Sequence, residues 1–94
     1  MNFKVQKVEN CFSDSETYEY LLPISGKSFL QFASDWDIRV NDRLRRPAAI
    51  LTKEGITIKC ILEGCCFRVS FPAELLISRK AEFEAFLRSL PCTE

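Results

Sequence analysis

Histidine is absent from all 94 residues, and this absence excludes much familiar chemistry. Ser–His and Cys–His nucleophile pairs are gone, along with the commonest general base. So is every zinc site that uses imidazole. Glycine is scarce, with three residues, so a glycine-rich loop cannot wrap its amides around a phosphate chain. Gly26-Lys27-Ser28 has the ending of such a loop, but the pattern needs a glycine at position 21, where leucine stands. Apolar runs last only a few residues, so no membrane span is expected. The opening Met1–Lys7 alternates polar and apolar residues and lacks the apolar core of a secretory signal. Cys92 is third from the end rather than fourth, which does not fit a prenylation box. The cytoplasm is the expected location.

Charge of either sign is balanced, thirteen bases against thirteen acids, but the balance is a cancellation. Residues 1–38 carry three bases and six acids, residues 39–53 five and one, and residues 54–94 five and six. Hydrophobic content of 47% and a single chain of this length suit one soluble α+β domain with a modest core. Five cysteines, Cys11, Cys60, Cys65, Cys66 and Cys92, form an odd set that reads as free thiols used for packing. Their spacing gives no tetrahedral ligand set, so neither a metal nor a cofactor is expected.

Along the chain, residues 3–8 alternate as a strand, residues 9–16 read as an acidic loop, and Tyr18–Ile24 reads as a second strand. Phe29, Phe32, Ala33 and Trp36 recur at helical spacing, with Ser25 placed to cap the helix. Asp37–Val40 suits a short strand. Three strands at 48–53, 56–62 and 65–71 follow, separated by Glu54-Gly55 and Glu63-Gly64, which suit tight hairpins. Two-residue loops set Leu51 opposite Ile58, Ala49 opposite Cys60, Cys60 opposite Phe67, Ile58 opposite Val69 and Ile56 opposite Phe71. All of these share one face, with Thr52, Thr57, Ser70, Ile50, Lys59 and Arg68 on the other. The same register puts Cys65 on the core face and Cys66 outside. Pro72 suits a helix start, and Phe83, Phe86, Leu87 and Leu90 form a helical stripe stopped by Pro91. This helix is expected either as one run over about 73–90 or as a turn followed by a helix capped by Ser78. The expected fold is ββαββββα, an antiparallel sheet with a three-stranded meander and a C-terminal helix packed on one face.

The most concentrated polar feature is Arg39–Arg46, in which Arg39, Arg43, Arg45 and Arg46 accompany one aspartate. Planar guanidinium groups suit carboxylate or phosphate partners. The chain's own acids Glu9, Asp14, Glu16 and Glu19 are the competing internal partners. Lys59 and Arg68 carry basic character onto the outer sheet face, beside a small apolar patch of Ala48, Ile50, Ile61 and Cys66. That patch suits a protein partner or a second copy, or else cover by the first helix or the N-terminal hairpin. No catalytic constellation appears. The sequence therefore points to a non-enzymatic interaction or regulatory protein. A nucleic-acid or phosphate binder is the alternative, weakened by the lack of aromatics on the outer face.

Overall fold

The computed structural model describes residues 2–8, 15–41, 43 and 45–90. Its strands are β1 (Lys4–Val8), β2 (Ser15–Leu21), β3 (Asp37–Asn41), β4 (Ala48–Lys53), β5 (Ile56–Ile61) and β6 (Cys66–Pro72). A five-residue helix, α1 (Gly26–Leu30), lies between β2 and β3. After β6, a 3₁₀ turn (Ala73–Leu75) leads into α2 (Leu76–Ser89). The strands form one sheet in the order β1-β2-β6-β5-β4-β3, with every neighbouring pair antiparallel.

The meander follows from its turns and its alternation. Glu54 and Gly55 both take positive φ, 51° and 85°, the pairing a tight hairpin turn needs to match strand twist. Leu51 then pairs with Ile58 and Ala49 with Cys60, while Cys60 pairs with Phe67 and Ile58 with Val69 across the next hairpin. The second hairpin keeps its expected register, with β5 one residue shorter and β6 shifted one residue along the chain. β5 ends at Ile61 and β6 begins at Cys66, because the Gly64 amide bonds back to the Ile61 carbonyl and closes a wider turn. Cys65 therefore sits in the turn and is exposed rather than facing the core.

β2 begins at Ser15, inside the stretch expected as loop, and ends at Leu21. The rest of that expected loop, residues 9–14, lies outside the described residues. β2 closes against β6, with Tyr20 beside Phe67 and Tyr18 beside Val69. The first helix is shorter than its apolar spacing suggested. Ser25 does cap it, accepting from the Ser28 amide at 3.3 Å. After Leu30, however, the amides of Gln31, Phe32, Ala33 and Trp36 each bond three residues back, so the chain runs in tight turns towards β3. Phe29 and Ala33, four residues apart, still turn inward, and both are buried.

α2 starts at Leu76 rather than at Ser78, so no Ser78 cap forms. Its good helix formers continue to Ser89, and Leu90 is extended, as a residue before proline prefers. Phe83, Leu87 and Leu90 are buried, and Phe86 is half-buried. Phe83 meets the rings of Tyr20 and Phe71 edge-on, and Phe29 of α1 meets Phe67 and Phe86. Both helices thus cover the same sheet face, over a core of Leu51, Ile58, Phe67, Val69 and Phe71.

Candidate functional site: the open sheet face

With both helices on one side, alternation sends every second strand residue to the other side. Three rows cross that outer face. One runs Leu21, Cys66, Ile61, Ala48 and Asn41, the next Glu19, Arg68, Lys59, Ile50 and Arg39, and the third Thr17, Ser70, Thr57, Thr52 and Asp37. Neither α1 nor the N-terminal hairpin covers this face: the hairpin extends the sheet sideways and α1 packs on the core side. A shallow concavity of about 360 Å³ lies over Ala48, Ile50, Ile61 and Cys66, rimmed by Lys59 and Arg68. Ile50 is 42% exposed and Leu21, which lengthens the apolar row, 47%.

The six predicted basic residues separate into two groups. Arg39, Lys59 and Arg68 stand in one row because Arg39 pairs with Ile50, Ile50 with Lys59, and Lys59 with Arg68. Like charges directly opposite, such as Lys59 and Arg68, disfavour the isolated sheet slightly. Arg68 is partly balanced by Glu19, whose Oε2 lies 3.6 Å from its Nε, and Gln6 donates to the other Glu19 oxygen at 3.2 Å. Arg43, Arg45 and Arg46 are exposed in the β3–β4 connection. The Arg43 amide donates to Asn41 Oδ1 at 3.1 Å, which turns the chain at the end of β3.

Of the four acids expected as internal partners, the two described are committed elsewhere. Glu16 pairs with Lys7 at 3.1 Å and Glu19 with Arg68. β2 and β3 are four strand spacings apart, about 19 Å. The β3–β4 connection also leaves the sheet at the end where Leu21 and Cys66 lie, opposite to Val8 and Thr17. Glu9 and Asp14 lie outside the described residues. Among the described residues, no carboxylate forms an ion pair with Arg39, Arg43, Arg45, Arg46 or Lys59.

Cys60 is buried, and burial pushes its thiol up to about 11. Cys66 is exposed on the outer face, and its thiol is raised by burial and by the nearby Glu19, against Arg68. Among the described residues, no three Cys, Asp or Glu side chains gather as a metal site would require.

A second polar group lies on the helical side. Glu84 Oε2 accepts from the Tyr20 hydroxyl at 2.9 Å and from Lys80 Nζ at 2.6 Å, and Arg88 approaches Oε1 at 3.5 Å. Burial raises the Glu84 pKa, but the Lys80 and Tyr20 hydrogen bonds and the two cations outweigh it, so the net direction is down. Burial and the Glu84 carboxylate raise that of Tyr20. These partners satisfy one another and fasten α2 to β2.

Sequence reasoning placed Lys59 and Arg68 outside but missed Leu21, Glu19 and Asp37 as members of the same face. Their signal is the β2–β6 and β3–β4 registers, which join segments lacking a tight turn between them. Comparison of the chain with protein-family models, with curated proteins and with solved structures finds no match. Among the described residues, no helix is long and apolar enough to cross a membrane.

Proposed function

We propose that the protein is a non-enzymatic interaction module that binds an acidic protein partner across its outer sheet face and arginine loop. The observation that carries this reading is the uncovered outer face, with an apolar floor and a cationic rim in which Glu19 answers Arg68, while Lys59, Arg39 and the arginine loop form no ion pair with a described carboxylate. A partner surface with aliphatic side chains ringed by Asp and Glu complements both parts, giving desolvated contact at the centre and charge-assisted bonds at the edge. A polypeptide is favoured over nucleic acid because the described outer-face positions hold aliphatic and hydroxyl side chains, with no ring for a base to stack on. The free thiols Cys60, Cys65 and Cys66 fit a reducing compartment, and we place the activity in the cytoplasm on that ground.

Affinity capture from native cell extract, read by mass spectrometry, tests the proposal. The wild-type chain retains an acidic protein, and Arg43→Glu combined with Arg46→Glu loses it while circular dichroism shows the same fold. Unchanged capture by the folded double variant removes the arginine loop from the interface. Retention of nucleic acid instead, with affinity falling steeply as salt rises, replaces this reading with the other.

A further inference from the structure

The two edges of the sheet are built differently. β1 carries Lys4 and Lys7 and no acid, a composition that repels a second strand of the same kind. β3 carries neither lysine nor proline, and its sequence Asp37-Ile38-Arg39-Val40-Asn41 holds one charge of each sign. Val40, on the core side of this edge, is 50% exposed.

The free hydrogen-bonding groups of β3 follow from the register. Lys53 and Ile56 flank the two-residue turn and so exchange backbone bonds. Alternation then directs Leu51 and Ala49 towards β5, and Thr52, Ile50 and Ala48 towards β3. Their partners Asp37, Arg39 and Asn41 use their peptide groups inward. Ile38 and Val40 hold theirs out over the open edge.

We propose that β3 pairs antiparallel with β3 of a second copy, about a two-fold axis beside Ile38, to form a dimer with one continuous sheet. In this register Ile38 faces Ile38 of the second copy, and their outward peptide groups bond to each other. Asp37 stands opposite Arg39 of the second copy, and the symmetry makes this pair twice. Both are exposed and on the same face, at the close, non-bonded positions where cross-strand charges interact most. Val40 meets the second copy's Trp36 on the helical side, which covers its exposed surface. The neighbouring symmetric register, centred on Arg39, would set Arg39 against itself, so charge selects between the two. An isologous contact of this kind closes at two copies. Five-residue strands bury less than a standard interface, so the dimer is weak and concentration-dependent. The contact takes Arg39 from the edge of the partner surface proposed above, and it leaves Lys59, Arg68 and the arginine loop accessible.

Light scattering and sedimentation of the full chain test this. Wild-type protein shifts with concentration from the 10.8 kDa chain mass towards twice that value. Asp37→Arg and Arg39→Asp each bring like charges together and weaken self-association by about tenfold or more, equivalent to ~1.4 kcal/mol. An equimolar mixture of the two single variants forms a heterodimer, because one then supplies two cations and the other two anions. The exchange variant, Asp37→Arg with Arg39→Asp, keeps the net charge and dimerises like wild type, and it decides the matter should either single variant fail to fold. A wild-type chain that stays monomeric at its solubility limit overturns the proposal. So does an Asp37→Arg variant that dimerises as tightly as wild type, or an exchange variant that folds and stays monomeric.

Discussion

At the scale of single residues, Gly26 shows how a sequence motif and a packing need can share one position. Read along the chain, Gly26-Lys27-Ser28 looks like part of a phosphate loop. In the fold, the Gly26 amide bonds to the Gly64 carbonyl and the Lys27 amide to the Leu62 carbonyl, which lays this segment against the β5–β6 turn. A Cβ on Gly26 would stand 2.6 Å from the Ile61 carbonyl oxygen and 3.1 Å from Cys60 Sγ. The first neighbour is backbone and cannot swing aside. Gly26→Ala is therefore expected to cost about 2 kcal/mol, by pushing α1 off the sheet. Urea denaturation measures this directly, and a loss below a few tenths of a kcal/mol would show that the segment can slide without cost. No signal in the sequence announces the close approach, because Gly26 and Ile61 meet only after β2 has closed against β6.

At the scale of elements, what could be read depended on how close in sequence the paired parts are. The β4–β5–β6 register was legible because two turns of fixed length lock it and both hairpins agree on one inside face. The site's basic row was legible only where it rode on that meander, at Lys59 and Arg68. Joining Arg39 to it required the β3–β4 pairing across the arginine loop. The stripe Phe29, Phe32, Ala33 and Trp36 predicted burial better than helix, since tight turns present the same residues to the core. α2 illustrates a further tie between elements. Glu84 receives the Tyr20 hydroxyl from β2 and Lys80 from its own helix, an i, i+4 pair. Its pKa is held below the ordinary carboxylate value, so the unfolded chain takes up the proton first as pH falls. The stabilisation is complete above the unfolded pKa of about 4.3 and is lost as pH drops through the lower folded value. Glu84→Gln is expected to cost about 2 kcal/mol at neutral pH, and less in acid, where wild type has lost the same contribution. Denaturation at pH 7 and pH 3 gives the two differences, and equal losses at both would show that charge plays no part.

At the scale of the whole molecule, the governing fact is that one sheet has two unlike faces. The helical face is filled with aromatic and aliphatic side chains, and the other is open, with cations set about an apolar floor. The zero net charge of the chain is thereby resolved in space. Glu16 and Glu19 answer Lys7 and Arg68 near one edge, and the arginine loop projects from the other. Ile50 and Leu51 test this division within a single peptide unit. Leu51 is fully buried under the helices, whereas Ile50 points outward between Arg39 and Lys59. Leu51→Ala removes packed atoms that no neighbour can replace, and a loss of about 3 kcal/mol is expected. Ile50→Gln exchanges one exposed side chain for another, and stability should change by no more than about 0.5 kcal/mol. Partner capture should reverse the ranking, since Ile50→Gln puts a polar group into the apolar floor while the fold stays intact. Calorimetric melts of both variants, run beside the capture assay, read the two rankings. If Ile50→Gln destabilises the chain as much as Leu51→Ala does, the outer face is structural and the partner surface must be sought elsewhere.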